Sequence, residues 1–301
     1  MSGGTRPSVL VVDDEEALRS LLLRLLEREG FDPIPASNGE EAISLFRSRA
    51  PAVVVSDIKM PHMDGLALLT EIRGIDRTAA VILMTGQGNE EILLDALRGG
   101  ATNFFKKPFV VRELIEEIRK VVSFRLEAAR STLFSPHLVE ETKHFVLPPG
   151  ELFYFPIINQ ASLQLPAILP EEDILNLKIG IEEIITNAVE HGNLGISFEE
   201  KNAAIHDGRL AELIAERMSD QARARRRVFI DSRLTPELFQ ITIRDEGDGF
   251  DWRNLPEVAP ENLLSFNGRG ILLTRIYFDE VVFNDAGNEV TLRKRAKAAV
   301  S

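Results

Sequence analysis

The chain's 301 residues can bury two cores of ordinary domain size, which excludes a peptide hormone or a lone small module, and its 44% hydrophobic and 27% charged residues are those of a globular protein. No apolar run, Ala79 to Met84 among the longest, reaches membrane-spanning length, and the lack of cysteine removes disulfides, thiolate metal sites and cysteine nucleophiles together. With a polar start from Met1 to Ser8 this leads us to expect a reducing cytoplasm and no membrane; a formal charge of −12 repels nucleic-acid phosphates, so DNA is not an expected partner.

From Val9 to Lys120 short β-branched runs alternate with helical periods. Strands are predicted at Val9 to Val12, Asp32 to Ala36 (the weakest), Val53 to Ser56, Val81 to Met84 and Asn103 to Phe105. Leu18, Leu21, Leu22, Leu25 and Leu26 recur at i, i+3, i+4, i+7 and i+8, a single apolar helix face with Gly30 at its C′ position, and Ser37 is placed to cap the next helix. Strict alternation argues for an α/β doubly wound, five-stranded parallel sheet whose ligand site lies at the carboxyl ends of the strands. A helix from about Arg112 past Phe124 towards Arg130 carries the apolar stripe Leu114, Ile115, Ile118, Val121, Val122, Phe124 and Leu126. That stripe fits a homodimer and packing against a second domain equally well.

Ser135-Pro136 and Leu147-Pro148-Pro149-Gly150 punctuate the stretch after this helix, which places a boundary near Thr142. The expected division is a first domain over 1–122, a helical linker over 123–143 and a second domain over 144–301. In the second, a strand at 144–147, helices at 151–164 and 171–191, strands near 227–232 and 238–244, a helix near 270–277 and strands at 280–284 and 288–294 make an α+β two-layer sandwich. An inserted segment over about 197–227 holds Asp207 as a candidate cap, the amphipathic set Leu210, Leu213, Ile214 and Met218, and the basic run Arg223, Arg225, Arg226 and Arg227. The plainest reading of that run is solvated helix-end charge, with contact to phosphate or an acidic partner as the alternative.

The chemistry of the first domain follows from where its strands end. Asp13 and Asp14 come directly after the first strand and Asp57 after the third, so parallel pairing brings three carboxylates to one sheet edge, where a hard divalent cation such as Mg²⁺ offsets their repulsion. Lys107, before Pro108, can meet a phosphoryl oxygen, and Thr85 ends the fourth strand with a hydroxyl. An isolated Asp-Asp is ordinarily a cap and an isolated Lys-Pro a loop. The ordered set Asp13-Asp14, Asp57-Ile-Lys-Met-Pro61, Thr85-Gly86 and Phe104-Phe-Lys-Lys107-Pro108 resembles the receiver domain of bacterial two-component response regulators over residues 8–122. The resemblance implies Asp57 as the phosphoacceptor, Asp14, Asp57 and the Lys59 carbonyl as Mg²⁺ ligands, and Asp13 acting through water. It also implies Lys107 and Thr85 as readers of the phosphate, Phe104 in place of the commoner switch tyrosine, and a cognate sensor histidine kinase as partner.

In the second domain Glu183, Asn187 and His191 fall at i, i+4 and i+8 on one helix face, opposite Ile181, Ile184, Ile185 and Ala188, and an amide among carboxylates can ligate Mg²⁺. Strand 238–244 delivers Asp245-Glu-Gly247-Asp-Gly249-Phe250, where a carboxylate can accept from an exocyclic amine and glycines admit a ligand to the backbone. Gly268-Arg269-Gly270 precedes an apolar helix whose amides and dipole suit phosphate. Singly these are common turns and solvated faces. In order and spacing they resemble the GHKL ATPase fold of histidine kinases, gyrase and chaperone ATPases, and more closely its anti-sigma-factor serine/threonine kinase branch, over about residues 144–295. The resemblance implies ATP and Mg²⁺ as cofactors. Asn187 then ligates the metal, Glu183 is the candidate general base, Asp245 reads adenine, Gly247 and Gly249 line the loop under the nucleotide, and Gly268, Arg269 and Gly270 form the phosphate-facing lid, with His191 left to packing. The implied partner is an anti-sigma-factor antagonist or a sigma factor. A histidine kinase would need a dimerising hairpin between the domains, for which only His137 and His144 are available; a non-catalytic, nucleotide-dependent binding module would use the same residues as a kinase.

Overall fold

Residues 6–86, 90–128, 138–148, 154–254 and 269–296 are described in the computed structural model, and the chain divides into two compact units with the break after Ala128. In the first unit strands β1 (Ser8–Val12), β2 (Asp32–Ala36), β3 (Val53–Asp57), β4 (Ala80–Thr85) and β5 (Asn103–Lys106) alternate with helices α1 (Glu16–Arg28), α2 (Gly39–Arg49), α3 (Gly65–Ile75), α4 (Glu90–Arg98) and α5 (Val111–Ala128). The sheet runs β2-β1-β3-β4-β5 with every pair parallel. Its strands β3 and β4 are buried along their length and β1 from Val9 on, as in sheets covered by helices on both faces, whereas Pro33 and Pro35 are confined to the edge strand β2, where a missing amide is tolerated.

Local chemistry sets the helix ends. Gly30, at φ +88°, follows α1 in the left-handed conformation that glycine adopts without penalty. The cap of α2 is Asn38 rather than Ser37. The Asn38 side chain accepts from the Glu41 amide at 3.0 Å, and Ser37 instead donates its amide and hydroxyl to the Glu41 carboxylate, each at 2.8 Å. The α5 stripe from Leu114 to Phe124 is buried in the single chain; the Leu126 side chain and the helix beyond Ala128 lie outside the described residues.

The second unit comprises β6 (Glu141–Leu147), α6 (Phe155–Ala161), α7 (Glu171–Asn187), α8 (Phe198–His206), α9 (Leu210–Met218), β7 (Val228–Leu234), β8 (Leu238–Arg244), α10 (Arg269–Tyr277), β9 (Glu280–Phe283) and β10 (Glu289–Arg295). The strands pair antiparallel in the order β6-β7-β8-β10-β9. One face alternates into the core through Ile230, Leu234, Phe239, Ile241, Ile243, Val290 and Leu292, and α7 and α10 supply Leu177, Ile181, Ile185, Leu272 and Leu273 to that core. Gly180 lets the two helices approach: Thr274 Oγ1 donates to its carbonyl at 3.3 Å, and a side chain at 180 would meet Phe278.

Further expectations change, and strand β6 begins at Glu141, within the stretch expected as a helical linker. The helix expected over 151–164 ends at Ala161, where the Ser162 hydroxyl donates to the Ile158 carbonyl at 2.6 Å and Pro166 turns the chain into a 3₁₀ segment; residues 151–153 lie outside the described residues. The long helix does not reach residue 191 as an α-helix but passes at Ala188 into a π turn through Asn193. The insertion holds two helices, and Asp207 closes α8 rather than opening α9, its carboxylate bound to the Arg209 side chain at 2.8 Å. Among the described residues no helix is long and apolar enough to cross a membrane.

Candidate functional sites

In the first unit the parallel order sets the carboxyl ends of β1, β3, β4 and β5 along one edge, and the side chains there are Asp13, Asp57, Thr85 and Lys107. Lys107 Nζ lies 2.7 Å from Asp13 Oδ2 and 2.6 Å from Asp57 Oδ1. Each carboxylate gives its other oxygen to a loop amide, Glu15 for Asp13 and Lys59 for Asp57, both at 2.8 Å. The lysine is itself tied to β4 by a 2.6 Å bond from its amide to the Thr85 carbonyl. Burial pushes the Asp57 carboxyl above the usual aspartate range; Lys107 opposes that push and the Asp13 charge adds to it. Burial also works against the Lys107 charge, but the hydrogen bonds to Asp13 and Asp57 hold its ammonium above the usual lysine value.

Gly65 explains how close this edge is built. A Cβ there would strike the Asp57 carbonyl, and the Gly65 amide donates to Ile58 O at 2.9 Å, so α3 begins directly on the end of β3. Asp13, Asp57 and Thr85 are buried, Asp14 is exposed, and Phe104 is buried in the edge strand β5. The all-oxygen donor set of Asp13, Asp14 and Asp57 fits a hard divalent cation. Among the described residues no three His, Asp or Glu side chains already form a metal cage, since Lys107 stands between the two buried carboxylates and Lys59 engages Asp57 through its amide.

In the second unit α7 is the spine of the other candidate site. Near its end Glu183 lies against Gly270 at the start of α10: a Cβ on Gly270 would fall on the Glu183 carboxylate. Further on, the π turn brings Gly192 face to face with the Asp245 carboxylate at the end of β8, and no side chain fits at 192. Asn193 Oδ1 accepts from the Glu246 amide at 2.9 Å, and Asp245 Oδ1 accepts from the Gly247 amide at 2.8 Å. Burial pushes the Asp245 carboxyl up to about 6, with the Gly247 hydrogen bond and then the Arg226 charge acting the other way. Asn187 is half-buried as the last residue of α7, and Gly249, at φ +73°, packs on the Ala286 carbonyl. His191 is half-buried, with Nδ1 2.5 Å from the Ile196 carbonyl. Gly268 and the Arg269 side chain lie outside the described residues.

Gly192 and Asn193 went unmarked in the sequence although they follow the Glu183–His191 stripe directly; the π turn that aims them is set by tertiary bonds. Nor is the basic run simply solvated. Arg226 Nη1 donates to the Asn193 carbonyl at 3.1 Å and the Gly192 carbonyl at 3.4 Å. The rest of the insertion is tied in by Lys201, which pairs with the buried Glu190 at 2.6 Å.

Residues 9–119 match the family model described as response regulator receiver domain, and residues 158–294 match that of the histidine kinase-like ATPase domain. Chemotaxis protein CheY of Bacillus subtilis is 34% identical over 116 residues, 38% of this chain and 97% of CheY. Transcriptional regulatory protein SrrA of Staphylococcus aureus is 34% identical over 138 residues, 45% of this chain and 56% of SrrA, so the chain spans about half of that relative. A response regulator receiver domain protein from Clostridium thermocellum superposes with a TM-score of 0.39 at 30% identity, covering 40% of this chain and 98% of that structure.

Proposed function

The chain belongs to the response regulator receiver family, and on that premise we propose that phosphorylation of Asp57 by a sensor histidine kinase governs an ATP-dependent protein serine/threonine kinase formed by the second unit. The partner we assign is an anti-sigma-factor antagonist. In the first step an Asp57 carboxylate oxygen attacks the phosphorus of a phosphohistidine, forming an acyl phosphate as the P–N bond breaks and the imidazole leaves. Lys107 and Thr85 meet the new phosphoryl oxygens. Asp13, Asp14, Asp57 and the Lys59 carbonyl are the groups to hold Mg²⁺, which when bound neutralises phosphoryl charge.

The observation that carries the output is the spacing along α7. Glu183 meets Gly270 at one point and Gly192 meets Asp245 nine residues later, on the order of 10 Å along the end of α7 and the π turn that follows it. On this reading the phosphate end of one nucleoside triphosphate lies at Glu183 and Gly270 and its base end at Gly192 and Asp245. ATP fits the groups present: a buried carboxylate for the exocyclic amine, glycines at 247 and 270 where side chains would intrude, and the half-buried amide of Asn187 for Mg²⁺. Gly249, Gly268 and Arg269 complete the loop and lid of the same reading. A substrate hydroxyl gives its proton to Glu183 as its oxygen bonds the γ-phosphorus, and the bond to the β-phosphate oxygen breaks to release ADP. His144 argues against a histidine substrate within the chain, because it stands on strand β6, bonded to Asp231 at 2.6 Å, not on a helical hairpin; His137 lies outside the described residues.

Incubation of the full chain with Mg²⁺, γ-labelled ATP and a candidate antagonist tests this directly. The expected product is acid-stable phosphate on the antagonist, with Glu183→Ala keeping ATP affinity but losing transfer. Acid-labile phosphate on His137 or His144 would overturn it. Tight ATP binding without transfer to any candidate would assign the second unit to nucleotide-dependent binding of a sigma factor or antagonist.

A further inference from the structure

Resting on the reading of the second unit as a nucleotide site, we propose that Arg226 of the inserted segment is a positioning residue for adenine recognition, holding the Asp245 loop and the π turn in register. Arg226 is half-buried and reaches both elements. Nη1 donates to the carbonyls of Asn193 and Gly192, at 3.1 and 3.4 Å, and Nη2 lies 3.8 Å from Asp248 in the loop after β8. The neighbouring residue repeats the link, because the Arg227 amide donates to the Glu246 carboxylate at 2.7 Å. Between these ties Gly192 sits on the Asp245 carboxylate with no room for a side chain, so a shift of the 192–193 backbone would displace the group assigned to adenine. A guanidinium suits this role because its planar fork serves two carbonyls and a carboxylate at once, which the single ammonium of lysine cannot do in the same geometry.

The charge matters as well as the shape. An ionised Asp245 accepts more strongly from an exocyclic amine than a protonated one, and its burial opposes ionisation. The charged groups facing it are Arg226 from the insertion and Arg244 at the end of β8; Glu246 and Asp248 beside it turn to Arg227 and Arg226. Arg244 is spread over the Phe229 ring at 4.2 Å and faces Glu289 at 3.7 Å, which leaves Arg226 as the closer support of the Asp245 charge. The insertion is tied to the π turn by Lys201 on Glu190, and its two helices are tied to each other by Arg217 on Glu200.

The test is calorimetric titration of the full chain with ATP and Mg²⁺ between pH 5.5 and 8.5. Wild type should bind more weakly below a midpoint near the Asp245 carboxyl's about 6. Arg226→Ala should move that midpoint up by about one pH unit and lower the preference for ATP over GTP, while Arg226→Lys restores the midpoint in part. Arg223→Ala, in the same run but packed on Gly195, controls for loosening of the insertion and should leave the midpoint where it was. An unchanged midpoint and preference in Arg226→Ala would overturn the role of Arg226 alone, and an equal shift in Arg223→Ala would overturn it in favour of general loosening. Failure of the wild type to bind ATP at any pH would overturn the nucleotide reading with it.

Discussion

Asp245, the proposed adenine reader, sets that role against stability at one residue. Its carboxyl sits at about 6 in the folded chain, above the ordinary 3.8, so the folded state holds that proton more tightly than the unfolded chain does. The stability this provides is fully present below about pH 4 and is lost as pH rises through 6. Asp245→Asn keeps an oxygen for the Gly247 amide and removes the charge. It should therefore stabilise the second unit at pH 7 by about 2 kcal/mol, with the gain vanishing near pH 4, while weakening ATP binding. Urea unfolding followed by the single tryptophan, Trp252, reads that unit; equal midpoints at pH 7 would remove the strain assigned to Asp245. Lys107 presents the opposite case, a cation between two buried carboxylates. Lys107→Ala should cost the first unit about 3 kcal/mol, and adding Asp57→Asn should recover a large part of it by removing one of the repelling charges. Additive losses in the double variant, read by amide exchange in β1 and β3, would show that repulsion is not what the lysine offsets.

At the scale of elements, glycines decide how closely a helix can begin against its strand or helix neighbour. Gly65→Ala places a methyl on the Asp57 carbonyl and should destabilise the first unit by about 1–3 kcal/mol, with slower phosphorylation as Asp57 shifts. Phosphorylation from a small phosphodonor at the wild-type rate would show that α3 can move without disturbing the acceptor. Both sheets were readable in the sequence, because a buried parallel strand is an uninterrupted apolar run and a half-buried antiparallel strand alternates. The strand-end residues Asp13, Asp57, Thr85 and Lys107 were readable too, since their position after a strand determines where they project. Features that depend on which of several partners a group takes were not. Nothing around Ala188 announces a π turn, which is held by Asn193 on Glu246 and Arg226 on two carbonyls. Asn38 takes the cap from Ser37, while Glu41 three residues on bonds the Ser37 amide and hydroxyl. Helix α8 is a different kind of omission: the Ser197-x-x-Glu200 capping box was present in the sequence as a local signal, and both of its bonds form, at 3.1 and 2.8 Å.

For the whole molecule the question is whether Asp57, proposed as phosphoacceptor, and the proposed nucleotide site share one equilibrium. A chain in which Asp57 phosphorylation changes ATP affinity by some factor must, by linkage, show ATP changing the affinity of the phosphorylated-like state by the same factor, typically about 5- to 150-fold for a coupled protein. Both arms can be measured as binding. Beryllofluoride with Mg²⁺ stands in for the phosphoryl group on Asp57, so ATP titrated into the full chain with and without it gives the coupling in one direction. Beryllofluoride titrated with and without ATP gives it in the other. Equal factors are expected from the two arms, and none in Asp57→Asn, which keeps the shape of the side chain without its charge. Asp245→Asn should weaken the ATP arm while leaving beryllofluoride affinity without nucleotide unchanged, because the two residues belong to different units. Identical ATP affinity in the presence and absence of beryllofluoride would mean that Asp57 does not act through nucleotide binding, and the proposed control would have to act on phosphoryl transfer alone.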